Sequence, residues 1–267
     1  MKRANILNQS KKYFFITLGI FAIIACKKVD ASKGTPEDHI ISETGFTAIE
    51  FGVGGNLTFT ESATTSIIVN TSDKVLNAMD IYVENSTLYI ESKNRYTIKH
   101  SEDITVTIMA PNVNSLACSG SGNLDANIDN ATEYSSFNLA VSGSGSLQAT
   151  AINSVNQTMT VSGSGSLTMD EITSENVTAK ISGSGGITVK TGTTINNDAT
   201  VSGSGNYAAF NLDAENVEAT VSGSGKVEVT AINTLNAVIS GSGNVYYKGI
   251  PIINVSSSGS GNLINAN

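Results

Sequence analysis

From about residue 119 to the C-terminus, apolar residues occupy every second position in short runs, as in Val177/Ala179/Ile181 and Val217/Ala219/Val221. Period-two alternation predicts strands with one buried face, and no stretch of this region carries a helical period. The runs are punctuated by the tetrapeptide Ser-Gly-Ser-Gly, which begins at Ser119, Ser142, Ser162, Ser182, Ser202, Ser222, Ser240 and Ser258. The steps between copies are 23, 20, 20, 20, 20, 18 and 18 residues. An apolar residue precedes most copies (Val141, Val161, Ile181, Val201, Val221, Ile239), and another stands two residues after each (Leu124, Leu147, Leu167, Ile187, Tyr207, Val227, Val245, Leu263). A flexible Ser/Gly linker has no reason to keep a fixed period with β-branched residues around it. A repeat of this length predicts a solenoid.

The arithmetic favours a parallel β-helix. Twenty residues at roughly 3.3 Å each give about 66 Å of contour, enough for three short faces and their turns, with coils stacked about 4.8 Å apart. The eight copies then predict a rod roughly 38 Å long. Turn residues mark expected corners at Asp170-Glu171, Thr191-Gly192, Asn196-Asn197, Asn211 and Asp213. Carrying the alternation from Val161 to Leu167 puts Gly163 and Gly165 on the inward parity and Ser162 and Ser164 outside. Glycine there fits either a pinched wall with no room for a Cβ or a positive φ. The outward serines are expected as a packing and turn device whose hydroxyls could bond up the rod.

The preceding stretch is β-rich but lacks the tetrapeptide. Strand candidates are Ala48–Phe51, Asn56–Phe59, Ser66–Val69, Met79–Val83, Thr87–Glu91 and Asp103–Met109, with Glu84-Asn85-Ser86 as a hairpin turn. The run from Gly52 to Leu57 matches that from Ser119 to Leu124 at an offset of 67 residues, room for about three coils. Residues 41–118 are therefore expected to be irregular first coils plus a β cap, and 119–267 the regular coils. A cap is needed because an open rod end exposes unpaired strand edges. The C-terminal end shows no comparable cap, so either its Asn residues blunt it or another subunit covers it.

Upstream, Lys2, Arg3, Lys11 and Lys12 precede an apolar run from Tyr13 to Ile24, too short and too early for an ordinary spanning helix. The run ends Ile23-Ile24-Ala25-Cys26, which resembles the lipobox of a bacterial lipoprotein. Residues 1–25 then form the signal peptide, Cys26 is the lipidation site, and 26–40 is a polar tether. Cys118 is left without a disulfide partner and replaces the Val or Ile that precedes other copies, so it is expected as a small buried hydrophobe. Removing residues 1–25 deletes four positive charges and moves the formal balance from −8 to −12. An acidic exported chain argues against nucleic acid and against electrostatic binding to anionic lipid or polyanionic glycan.

Three segments in order resemble one known family: Gly45-Phe-Thr-Ala-Ile-Glu-Phe with Gly-Gly-Asn-Leu-Thr after it, Val83-Glu-Asn-Ser-Thr-Leu-Tyr-Ile, and Ile104-Thr-Val-Thr-Ile-Met-Ala-Pro-Asn-Val-Asn-Ser-Leu leading into the tetrapeptide array. Together they resemble the putative auto-transporter adhesin head GIN domain family, common in Bacteroidetes lipoproteins, over about residues 40–265. The resemblance implies a right-handed β-helix in the cell envelope. It supplies no catalytic residues.

Chemistry is sparse. Polysaccharide-cleaving β-helices need clustered carboxylates, or carboxylates with Arg or Lys, on stacked coils. Here no Arg or His follows His100, and Asp170, Glu171, Glu175, Asp213, Glu215, Glu218 and Glu228 fall mainly at turns or beside them. Asp170 and Asp213, about two coils apart, could share a face. Trp is absent, and Tyr246-Tyr247 is the best local pair for stacking a sugar. Neither a repeated Asp turn for calcium nor a recurring Thr-x-Thr for ice is present. No catalytic residue, metal or cofactor is expected, and the ligand-binding residues are unknown. The expected function is a non-catalytic, adhesin-like binding module for a protein or glycan, attached through the Cys26 lipid to the envelope, with the outer membrane favoured. The alternatives are a structural component assembling as a homo-oligomer and, behind both, a polysaccharide-degrading enzyme.

Overall fold

The computed structural model describes residues 26–129 and 133–267; the expected signal segment, residues 1–25, lies outside the described residues. The first half contains β1 (Lys27–Asp30), β2 (Glu37–Ile41), β3 (Ala48–Phe51), β4 (Asn56–Glu61), β5 (Ser66–Thr71), the single-turn helix α1 (Asp73–Leu76), β6 (Met79–Glu84), β7 (Thr87–Ser92), β8 (Tyr96–Lys99), β9 (Thr105–Ala110), β10 (Ser115–Cys118) and β11 (Asn123–Asn127). The second half contains β12 (Glu133–Gly143), β13 (Ser146–Gly163), β14 (Ser166–Gly183), β15 (Gly186–Gly203), β16 (Asn206–Gly223), β17 (Lys226–Gly241), β18 (Asn244–Lys248), β19 (Ile252–Gly259) and β20 (Leu263–Asn265). Together they wind into a β-solenoid of about 7 turns.

From β13 to β16 each full coil is a single bent 18-residue strand, broken only at its Ser-Gly corner. Successive coils pair in parallel at the repeat step, Leu147 with Leu167 and Val161 with Ile181, so like residues stack into columns. Inward columns such as Leu124–Leu147–Leu167–Ile187–Tyr207–Val227–Val245 are fully buried. The ladder lapses beside Thr150/Asp170 and Val155/Glu175, where two consecutive residues point away from the core. These bends and the tetrapeptide divide the coil into three faces, as the contour length predicts. Two expected corners move inward. Gly192 lies in the Ile172–Leu212 column, and Asn197 is buried between Val177 and Val217, because registration with the neighbouring coils outweighs local turn preference.

The two glycines of the tetrapeptide have different reasons. Gly163 adopts φ +129°, a left-handed value that favours glycine, whereas a Cβ on Gly165 would sit 2.6 Å from Val141 Cγ1. The carbonyl of Gly143 in the coil below accepts two hydrogen bonds at this corner, from the amides of Ser164 and Gly165, both at 2.9 Å.

The N-terminal half departs from the expected order of coils. Gly52–Leu57 does match Ser119–Leu124 residue for residue, with Phe51 on Cys118 and Leu57 on Leu124. The 67-residue offset nevertheless encloses no intervening coil, since β3 and β4 pair directly with β10 and β11. The intervening chain builds the next layer outward, where β7 and β9 pair in parallel with β3 and β4. Its residues are consumed by antiparallel partners: β6 on β7, β5 on β9 and β2 on β5. The expected hairpin joins β6 to β7 with positive φ at both Asn85 (48°) and Ser86 (61°), the turn that matches strand twist.

The segment expected as a tether is likewise folded. Lys27–Asp30 pairs in parallel with β8, and Glu37–Ile41 pairs antiparallel with β5. Its polar side chains face outward while its backbone joins strand edges, which composition alone does not reveal. Asp30 closes β1: its carboxylate accepts from the Ser32 hydroxyl at 2.7 Å and bonds His100 Nδ1 at 2.9 Å. These partners, Ser32 first, hold its pKa well below the usual carboxylate range. A lowered folded-state pKa gives stability that is full above the unfolded value of about 3.9 and is lost as pH falls toward the folded value. Exchange protection of the Ala31 amide, which donates to the Lys99 carbonyl at 2.8 Å, is expected to exceed that of Asp30→Asn at pH 6. That advantage should shrink below about pH 4; a pH-independent difference would mean the carboxylate charge is not what holds β1.

Candidate functional site

Asp170, Asp213 and Glu228 do not come together on the coils. Asp170 sits at a bend, paired with Lys190 Nζ at 2.7 Å and with Gln148. Asp213 lies in the Asn153–Thr173–Thr193 column, three positions further along the coil and past that bend, so the two are not stacked. Glu228 pairs with Lys226 at 2.9 Å. Tyr246 lies under the Lys226 ammonium, 5.9 Å from ring centroid to nitrogen, and Tyr247 packs partly against the core, so the two rings do not form one platform.

Cys118 is buried in the column between Phe51 and Val141, with its thiol donating to the Gly122 carbonyl at 3.2 Å. Burial raises its pKa, which disfavours the nucleophilic thiolate. Cys26 is exposed at the first described position. His39 bonds the Thr71 carbonyl at 2.9 Å and, with Glu37 and Asp73, places three potential metal-ligand atoms within 4.8 Å. Both carboxylates are exposed, and exposed acidic groups commonly gather this closely without an ion, so the set does not define a metal site.

Serine does not supply the side-chain ladder that climbs the rod. Ser162 and Ser164 face out as expected, yet among the described residues the stacked hydroxyls bond one another only at Ser242–Ser260, 3.2 Å apart. Asparagine supplies it instead. Asn176 donates to Asn156 Oδ1 at 3.1 Å, Asn196 to Asn176 at 2.9 Å and Asn216 to Asn196 at 3.3 Å, and the Thr234 hydroxyl closes the run on Asn216 at 2.8 Å. The signal was present in the sequence, since Asn156, Asn176, Asn196 and Asn216 each stand six residues before a tetrapeptide. Identical amides at one coil spacing satisfy each other's donors and acceptors and hold a face flat.

Beside this ladder runs a groove of about 300 Å³ lined by Asn196, Asp198, Asn216, Glu218, Thr234 and Asn236. Asp198 and Glu218 are direct ladder partners, two like charges in adjacent coils, and Asn236 follows Glu218. Like charges stacked this way are unfavourable for folding alone. The groove therefore offers a row of amide, hydroxyl and carboxylate groups suited to hydrogen-bonding a hydroxyl-rich ligand.

Comparison with solved structures finds the same fold in several bacterial proteins. A putative adhesin from Parabacteroides merdae superposes with TM-score 0.83 at 20% identity, over 90% of this chain and 100% of that one. A putative lipid binding protein from Parabacteroides distasonis gives TM-score 0.82 at 25% identity with the same coverage. A putative adhesin from Bacteroides fragilis gives 0.60 at 24%, over 89% and 99% of the two chains. No curated protein matches the chain. The family model described as "putative auto-transporter adhesin, head GIN domain" matches residues 45–251, and this chain belongs to that family.

Proposed function

We propose that the chain is an envelope lipoprotein whose rod is a non-catalytic, adhesin-like binding module, attached through Cys26 and contacting a glycan or glycan-bearing protein along the asparagine groove. The observation that carries this reading is the stacked Asp198–Glu218 pair beside an ordered amide ladder, an outward array with hydrogen-bonding capacity. Family membership supports an adhesin-like role in the envelope. In cells, the protein is expected to incorporate labelled palmitate and Cys26→Ser to abolish that incorporation, and absence of label from the unaltered protein would refute lipid anchoring.

Purified residues 26–267 tested on a glycan array are expected to bind without releasing product. Asp198→Asn/Glu218→Gln should weaken binding at least about tenfold, the effect of losing two charge-assisted hydrogen bonds. Unaltered binding by that variant would move the contact elsewhere, and release of sugar would replace a binding module with an enzyme.

One feature favours assembly as a second reading. Among the described residues β19 pairs only with β17, and its outer edge exposes Ile252, Ile253 and Val255. Such an edge is a template for another strand. Sedimentation that depends on protein concentration and is abolished by Val255→Lys would favour this role over ligand capture.

A further inference from the structure

The charge of the rod is segregated. The chain from Cys26 onward carries a formal −12, yet Lys27, Lys28 and Lys74 converge on one groove of about 740 Å³ that also includes Val29, Asp73 and Tyr96. The groove exists because β1 and β8 form a separate two-stranded sheet that leaves space against α1. The Lys27 amide donates to the Arg95 carbonyl at 2.7 Å, which fixes where β1 begins. Its ammonium lies 5.4 Å from the Tyr96 ring centroid. The ion pairs formed among the described residues involve Lys33, Lys93, His100, Lys190 and Lys226, and none involves these three lysines. Two carboxylates adjoin the three lysines: Asp73 lines the groove, and the Glu37 carboxylate lies within 4.8 Å of that of Asp73. Cys26 is exposed and immediately precedes Lys27.

We propose that this groove receives the phosphate of an anionic lipid headgroup in the membrane to which the chain is attached, seating the N-terminal end of the rod on the bilayer. The proposal rests on the lipid-anchor reading for its location, and on the groove's own chemistry for its ligand. Three ammonium groups outside those ion pairs, against two carboxylates, favour a phosphate. An aromatic ring with a polar tip suits the headgroup level of a bilayer. Attachment at Cys26 puts Lys27 one residue and Lys28 two residues from the lipid, about 7 Å of chain at most, and Lys74 lines the same groove. The lipid on Cys26 holds the chain at the membrane, and a basic patch beside it orients the rod by attraction to anionic headgroups. The acidic balance of the whole chain, which argued against anionic lipid, therefore does not describe this end.

The test uses residues 26–267 carrying Cys26→Ser, so that any binding reads the groove and not the acyl chains. Flotation at low ionic strength with phosphatidylcholine–phosphatidylglycerol vesicles is expected to carry the protein, and phosphatidylcholine vesicles are not. Each lysine near an anionic surface contributes about fivefold, so Lys27→Gln/Lys28→Gln/Lys74→Gln should lower partitioning on the order of a hundredfold. Asp73→Asn should raise it about fivefold, and Lys180→Gln/Lys248→Gln, at distant positions, should leave it unchanged. Equal binding to both vesicle types, no binding to either, or loss of binding in the distant variant would overturn the proposal. Displacement by inorganic phosphate at concentrations too low to screen charge would also overturn it and assign the groove to a free anion. Palmitate incorporation at Cys26 in cells separately decides whether the anchor exists, so the two failures are distinguishable.

Discussion

Gly205→Ala is expected to lower stability by about 3 kcal/mol, the upper part of the range for forcing a methyl group into a packed wall. An ideal Cβ at this position lies 2.5 Å from both the Gly185 carbonyl oxygen and Ile181 Cγ2, one belonging to backbone and the other to a buried core residue. Neither can retreat cheaply. The adjacent bonds from the Ser204 amide to the Gly183 carbonyl, 2.9 Å, and from the Asn206 amide to the Gly185 carbonyl, 3.1 Å, fix the separation of the two coils. Because each coil contacts only its neighbours, the damage should weaken the interface on that side of the rod. Gly186→Ala is the control: its nearest neighbour is the Asn206 carbonyl oxygen at 3.4 Å, ordinary contact, so a change within about 0.5 kcal/mol is expected. Urea midpoints of the two variants decide the matter, and equal midpoints would mean that close approach is not what glycine provides at this corner.

Tyr207→Ala should cost about 4 kcal/mol, as expected for deleting a fully buried aromatic side chain from a core that cannot collapse around the gap. Tyr207 stands where its column neighbours are Ile187 and Val227, and its hydroxyl donates to Asn197 Oδ1 at 3.2 Å. Burial raises the phenol pKa far above its ordinary value, so the ring stays neutral and keeps its proton as a donor. The buried pair is incompletely satisfied, since Asn197 Nδ2 has no partner. Tyr207→Phe alone should cost about 1 kcal/mol by leaving the Asn197 oxygen unpaired. Tyr207→Phe combined with Asn197→Val, the residue type on either side of it at Val177 and Val217, should return stability to the original value or above. A double variant less stable than Tyr207→Phe alone would show that the pair is a net stabiliser.

The readable part of this protein was its periodic part. A step of 20 residues, apolar residues on alternate positions and β-branched side chains specify stacked coils, because identical coils place identical residues in register and every inward column is then apolar. The likeness of Gly52–Leu57 to Ser119–Leu124 and the Asn85-Ser86 hairpin were legible as local patterns, although the direct pairing of the first two segments was not. The asparagine ladder was present at the same period but lay among other turn residues, so its role emerges only when the amides are seen bonded to one another.

The sequence by itself determined a β-solenoid, its coil length, its inward columns, and the burial of Cys118 without a disulfide. Tertiary structure decided the rest. It inserted β3 and β4 between β10/β11 and β7/β9, and it turned an apparent tether into strands paired with β8 and β5. It also gathered three lysines from two distant segments around one groove within an acidic chain. The physical reason is common to all three. Backbone pairing between strands far apart in sequence depends on which edges remain open after the coils have stacked, and side-chain patterning, which reports only which face is buried, carries no record of those edges.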